Sequence, residues 1–351
     1  MKINYQPFSI DYSHPGDRRR FYGYAKRESI DFNSNKEIID EEVIILTQNC
    51  DLTLWLNIKR KHPNIKIIFD LCDAYLVEPL SLKRIFRGLV KFIIRKNKKL
   101  NLSYMNLIKK VCIISDAIIC STDEQKEILK QYCNNIHIIL DYQDDEISIS
   151  KTNDKIKNEN LNIFWEGLGS NLSLFEDIAV TLEKVNKEYP FNLNIVTDKK
   201  IPIGLGNLYE VDATKILARY FKNLNNIFIY DWNKENLCHV GSFCDIAIIP
   251  SSKRHEKMFL YKSANKLFLL WKMGLPTITS YSFAYHKAMK NISLDMICNS
   301  NYEWELKIKD AFINKTKFKK MSYKLKEHAY ANYSDTTKTS AWRKLFSSLE
   351  L

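Results

Sequence analysis

Nine short apolar runs, rich in β-branched residues, confine what this chain can fold into. They are VIIL (43–46), IKIIFD (65–70), DAIIC (116–120), IHIIL (136–140), LNIFW (161–165), FNLNIV (191–196), NIFIY (226–230), DIAIIP (245–250) and PTITS (276–280). Runs this short, separated by longer amphipathic stretches, are the pattern of parallel strands buried on both faces with helices between them. The expected class is therefore doubly wound α/β. The polar stretch DYQDDEISISKTNDKIKNEN (141–160) has no apolar face and splits the runs into two series, so it reads as a linker. The 351 residues are enough for two domains, expected at 1–150 and 151–335, with a C-terminal helix over 336–351 packing back on the first.

Composition narrows the function classes. At 45% hydrophobic and 27% charged the chain is an ordinary globular protein, and its net charge of +12 favours an anionic partner. Eight cysteines lie at 50, 72, 112, 120, 133, 238, 244 and 298 with no CxxC spacing, which predicts buried, reduced thiols rather than a disulfide or zinc framework. The opening MKINYQPFSIDYSHPGDRRR has no apolar h-region, and no stretch is long enough to span a bilayer. The expected location is cytoplasmic.

KSANKLFLLWKMGLPTITS (262–280) carries the most chemistry. Ser263 is a good N-cap for a helix over 265–273 with Leu267, Leu270 and Trp271 on its apolar side; Gly274 suits the C′ position and Pro276 stops continuation. The helix follows the strand 245–250, at the end of a parallel sheet where ligands bind. Lys262 and Lys266, four residues apart, share a face of its first turn. Cations there oppose the helix dipole at roughly 0.3–1 kcal/mol each, which makes sense if an anion sits between them. Lys253 and Arg254 lie in the preceding loop, and the bland alternative is a set of solvated lysines.

DWNKENLCHVGSFCDIAIIPSS, then KSANK, then LLWKMGLPTITS, together resemble in order and spacing the donor domain of GT-B glycosyltransferases of the family 4 and family 1 type; FWEGLGSNLSLFEDI (164–178) fits the first strand and glycine loop of that domain. The resemblance implies two Rossmann-like domains facing each other across a cleft, a nucleotide-sugar co-substrate and no metal. It places Lys262, Ser263 and Lys266 on the diphosphate, with Ser251 and Ser252 lining the same loop. Asp231 and Trp232 fall near the base, with Trp232 equally a core aromatic, and Gly167 and Gly169 allow close backbone approach to the donor phosphates or the acceptor, or simply form a strand–helix turn. Retaining members often carry two glutamates eight residues apart here, but the corresponding places near Tyr261 and Leu269 are not acidic. Glu256 is the only carboxylate between Ser251 and Lys290, a donor-sugar contact or a loop charge, and the stereochemical outcome stays open.

The first half should hold the acceptor. Asp70 and Asp73, at or just beyond the end of IKIIFD, are candidates for the general base, with Asp73 preferred and Asp70 alternatively structural. Asp17 or His14, in the loop SHPGDRRRF (13–21), offers another base, and Arg18, Arg19 and Arg20 could grip an anionic acceptor. In LKRIFRGLVKFIIRKNKKL (82–100), Arg84, Arg87, Lys91 and Arg95 form a basic stripe beside an apolar flank, the composition of a helix on an anionic membrane surface.

The expected function is transfer of a sugar from a nucleotide donor to a glycan or lipid-linked acceptor of a bacterial-type surface polysaccharide, at or near the inner face of the membrane. A nucleotide-sugar 2-epimerase-like enzyme would need neither acceptor nor membrane affinity. A nucleic-acid-binding protein rests on charge alone, since no RNP-type, zinc-finger or helix-turn-helix motif is present.

Overall fold

The computed structural model describes residues 1–37, 40–77, 104–149, 160–203 and 209–349. The basic stripe Arg84, Arg87, Lys91 and Arg95 lies outside them. The chain divides into two compact units. The first comprises Met1–Tyr142, Tyr261–Ser263 and Asp335–Leu351, and the second Gln143–Leu260 and Ala264–Ser334.

In the first unit, β1 (Ile3–Gln6), β2 (Phe32–Asn33), β3 (Val43–Thr47), β4 (Lys66–Asp70), β5 (Ala117–Cys120) and β6 (Ile136–Ile138) form a sheet in the order β2-β1-β3-β4-β5-β6. Every pairing is parallel. Alternate residues of one strand enter different cores. Ile44, Leu46, Ile67 and Phe69 pack with Trp55, Leu107, Ile108 and Val111, whereas Val43, Ile45 and Ile68 pack with Phe21, Tyr24, Trp342 and Leu345. A strand covered on both faces has no polar side, which is why its sequence reads as an unbroken apolar run. Trp342 and Leu345 come from the helix Asp335–Ser347, the last element of the unit.

The second unit repeats the plan with β7 (Leu161–Glu166), β8 (Phe191–Thr197), β11 (Ile227–Asp231), β12 (Ile246–Ile249), β13 (Thr277–Ser280) and β14 (Ile297–Cys298) in the order β11-β8-β7-β12-β13-β14, all parallel. Between β8 and β11 the chain makes an antiparallel hairpin, β9 (Lys200–Ile203) with β10 (Tyr209–Asp212), which has no counterpart among the nine apolar runs. The chain lays down β7, β8 and β11 in one direction and then returns to place β12 on the other side of β7. Strand order therefore reverses between β7 and β12, the point at which a sheet of this kind opens a crevice beyond its carboxyl ends.

Two expectations are corrected. The helix that follows β12 and its loop is Asn265–Lys272, and its N-cap is Ala264 rather than Ser263: the first helical bond runs from the Phe268 amide to the Ala264 carbonyl at 2.9 Å, and no side chain caps the turn. Its far end behaves as the sequence predicts. Gly274 adopts φ 79°, its amide donates to the Trp271 carbonyl at 2.8 Å, and Leu275 donates to Leu270 at 2.9 Å, a Schellman closure that only glycine adopts without strain. The start of the 141–160 stretch is not a solvated linker. Tyr142, Gln143 and Glu146 are buried; Tyr142 lies under the Arg27 guanidinium at 4.3 Å, and the Glu146 carbonyl accepts from the Cys238 thiol at 3.2 Å.

None of the eight cysteines forms a disulfide. Burial pushes the Cys112 and Cys120 thiols up to about 12. Thiolate is the reactive form, so both should resist a thiol-specific reagent at pH 8 in the native protein and react on unfolding. Rapid native labelling of either, mapped by mass spectrometry, contradicts this packing.

Candidate functional site

Of the residues that the sequence singles out, Gly167 and Lys266 meet at the reversal point of the second sheet. β7 ends in Trp165 and Glu166, both buried, and runs into Gly167. Lys266, in the first turn of the helix Asn265–Lys272, reaches this strand end. Its Nζ donates to the Glu166 carbonyl at 2.6 Å, lies 3.3 Å from Glu166 Oε1 and sits 5.3 Å from the centre of the Trp165 ring. A Cβ on Gly167 would come within 3.1 Å of Lys266 Nζ, so the absent side chain leaves room for the ammonium. The lysine is placed by a hydrogen bond, a carboxylate and an aromatic face, and only 17% of its side chain is exposed.

Around it, the loop after β12 is tied to the end of β13 by the Ser251 amide, which donates to Ser280 Oγ at 2.9 Å. Ser252 is buried and its hydroxyl meets no hydrogen-bonding partner; the same is true of Thr197 at the end of β8, Thr279 in β13 and Tyr285 in the following helix Phe283–Lys290. An unsatisfied buried hydroxyl costs about 1–3 kcal/mol. Burial, with a smaller contribution from the Glu166 charge, raises the Tyr285 phenol above its ordinary pKa.

Other selected residues lie elsewhere. Asp231 ends β11, the outer strand of the sheet two places from β7, and Trp232 follows it; Asp231 is exposed and accepts from the Lys199 amide at 3.2 Å. Glu256 opens the short helix Glu256–Leu260 and is exposed, as are Lys253 and Arg254. Lys262 and Ser263 are half-buried and group with the first unit, where Gln125 Nε2 donates to the neighbouring Tyr261 carbonyl at 3.3 Å. Gly169 is glycine for a packing reason, since a Cβ would stand 2.3 Å from Ile201 of β9; its amide is held by Asp198 at 3.0 Å. A separate groove of about 680 Å³ runs along β14, lined by Tyr281, His286, Lys290, Asp295, Glu303 and Lys307, with none of the selected residues in it.

In the first unit the reversal falls between β1 and β3. Asp73, just beyond β4, is exposed and accepts from Gln48 Nε2 at 2.8 Å, leaving the carboxylate open to an incoming hydroxyl. Two candidates are corrected. Arg20 is not a surface grip: it is 1% exposed and bonds both oxygens of Asp70 at 2.6–2.9 Å, Asp141 at 3.0 Å and the Ile139 carbonyl at 3.1 Å. Burial works against its charge, but Asp70 and Asp141 outweigh that and hold the guanidinium pKa well above its ordinary value. Asp17 is fully buried and already accepts from Tyr5, the Phe8 and Ser9 amides and the Ser9 hydroxyl, so it fixes the loop after β1 rather than waiting for a proton. His14 Nδ1 accepts from the Gly16 amide at 3.0 Å, which leaves the hydrogen of the neutral ring on Nε2 and makes that nitrogen a donor. Arg18 and Arg19 are half-buried and both engaged in interactions.

The sequence reading passed over Trp165, Glu166 and Tyr285. Glu166 stands beside the glycine of FWEGLG, but nothing local reveals that its partner is 100 residues away.

No family model matches the chain, and no curated protein matches it significantly in sequence. Solved structures do match in shape. A glycosyltransferase from Rickettsia africae superposes with a TM-score of 0.62 at 11% identity, over 99% of this chain and 98% of that one. TarM gives 0.57 at 12% identity over 88% of this chain, which spans only 56% of TarM's length; a point mutant of S. aureus TarM has been solved with fondaparinux, α-GlcNAc-glycerol and UDP. The trehalose-6-phosphate synthase OtsA gives 0.51 at 10% identity, over 89% and 73% of the two chains.

Two mutations test the local packing. Gly169→Ala should destabilise the second unit by about 1–3 kcal/mol, and Ile201→Ala in the same chain should relieve part of that loss; equal melting temperatures for wild type and Gly169→Ala would contradict the contact. Arg20→Leu should cost about 3–5 kcal/mol by urea unfolding, and Arg20→Leu with Asp70→Leu should cost less, because no buried charge is stranded. With six parallel strands in each unit, strand order reversing at β1/β3 and β7/β12, and these structural likenesses, the chain has the GT-B fold of the glycosyltransferases.

Proposed function

We propose that the chain is a glycosyltransferase that moves a sugar from a nucleotide donor to a glycan or lipid-linked acceptor. The observation that carries this is Lys266, a partly buried ammonium at the carboxyl end of β7, beside Gly167 and at the point where strand order reverses. A cation in that position suits the diphosphate of a nucleotide sugar, and Ser251, Ser252 and the amide end of the helix suit its oxygens. The UDP in the TarM structure supports a nucleoside diphosphate as the ligand class. Lys262 and Ser263 remain candidates for the same diphosphate, and Asp231 and Trp232 for the base.

In this reading the acceptor oxygen forms a bond to the anomeric carbon as the bond from that carbon to the diphosphate oxygen breaks. The electron pair leaves with the diphosphate, whose developing charge Lys266 offsets. The acceptor proton passes to Asp73, an exposed carboxylate at a strand end with one oxygen positioned by Gln48. No metal is invoked, because lysine supplies the counter-charge. Extension of a surface polysaccharide at the inner face of a membrane fits the net charge of +12. Among the described residues no helix is long and apolar enough to cross a membrane.

A thermal-shift screen against UDP, GDP, CMP and TDP and their sugars should identify one nucleotide that stabilises the protein. With its sugar as donor, Lys266→Ala should raise the donor KM by about tenfold or abolish transfer, while Asp73→Asn should lower kcat by about 10²–10⁴ with little change in donor KM. Normal turnover by Lys266→Ala would overturn the site.

A further inference from the structure

Glu166 has no part in the transfer chemistry as described, yet it holds the residue on which that chemistry turns. It is 9% exposed, its carbonyl takes the shortest bond of the Lys266 ammonium, and its carboxylate lies 3.3 Å from the same nitrogen. A carboxylate this close to a diphosphate site is paradoxical if the site only attracts, because it repels the ligand that Lys266 recruits. The geometry resolves this if the two anions alternate. A partly buried ammonium needs a partner, and Glu166 is that partner when no diphosphate is present. When a diphosphate arrives, Lys266 turns part of its charge to the phosphate oxygens, and the Glu166 carboxylate loses its counter-ion while gaining a like-charged neighbour.

We infer that Glu166 is a positioning residue that competes with the diphosphate for Lys266, lowering the affinity of the site for its nucleoside diphosphate product and so promoting release. This rests on the donor-site reading above. Tyr285 is the second group that suits the exchange. Its hydroxyl is buried without a hydrogen-bonding partner, and the Glu166 charge adds to the effect of burial in raising its pKa. The backbone bond from Lys266 to the Glu166 carbonyl survives the exchange and keeps the lysine aimed at the strand end, so only the carboxylate contact need change.

The test is equilibrium binding, by titration calorimetry, of the nucleoside diphosphate found in the screen and of inorganic pyrophosphate to wild type, Glu166→Gln, Glu166→Asp and Lys266→Ala. Glu166→Gln keeps the shape and removes the charge, and should bind both ligands about tenfold more tightly than wild type, with donor KM and kcat falling together as product release slows. Glu166→Asp keeps the charge and should stay near wild type. Lys266→Ala should bind more weakly. If Glu166→Gln binds equally or less tightly while Lys266→Ala weakens binding, the competition is wrong but the donor site stands. If Lys266→Ala binds as wild type does, the donor site itself is wrong and the competition falls with it. A Glu166→Gln protein with lowered thermal stability is judged by its pyrophosphate affinity against that of Glu166→Asp, and equal affinities for the two overturn the inference.

Discussion

The reversal of strand order between β7 and β12 is the constraint from which the candidate site follows. β7 feeds β8 and β11 on one side, and β12 begins the series on the other, so the connections leave the carboxyl end of the sheet in opposite directions. The helix Asn265–Lys272 projects Lys266 to that reversal point because its other end is fixed. Leu267 to Lys272 are buried without interruption, and the glycine closure at Gly274 turns the chain directly into β13. Lys272, completely buried, is neutralised by Asp144 at 2.6 Å, so even the charge on this helix that faces inward is accounted for. A helix packed this tightly cannot easily rotate, and the position of the Lys266 ammonium is correspondingly definite.

The first unit uses its charge differently at the matching end of its sheet. Arg20, Asp70 and Asp141 form a buried network that joins the end of β4, the segment after β6 and the start of the helix Phe21–Glu28. Asp17 gathers the loop after β1 in the same way. Such networks are weak evidence for net stability, because desolvation offsets much of the attraction, but breaking one partner is costly. Their effect here is to fix which backbone segments surround the strand ends. Asp73 stands just outside them, exposed, with its carboxylate accepting from Gln48.

How much of this the sequence shows depends on the reach of each interaction. The nine apolar runs each coincide with a strand, because burial on both faces imposes an apolar residue at nearly every position regardless of what packs there. The Schellman closure at Gly274 is equally local and equally legible. β2 and β14 have two residues each and leave no periodicity to detect, and the β9–β10 hairpin contains a proline and charged residues that mask its pairing. The roles of the three arginines at 18–20 cannot be separated by neighbours alone: what makes Arg20 structural are Asp70 and Asp141, 50 and 121 residues away. Glu166 escaped for the same reason. Lys266 was legible because a helix start after a strand is a local pattern, whereas the carboxylate that pairs with it is not.

The proposed function requires a nucleoside diphosphate to bind at the carboxyl end of β7 in the second unit. Hydrogen–deuterium exchange of the protein with and without the nucleotide that stabilises it tests this directly. Protection should concentrate in 166–169, 251–252 and the first turn of the helix Asn265–Lys272, with none along the β14 groove. Protection confined to that groove, around His286 and Lys307, with 166–169 and the Lys266 turn unchanged, would contradict it.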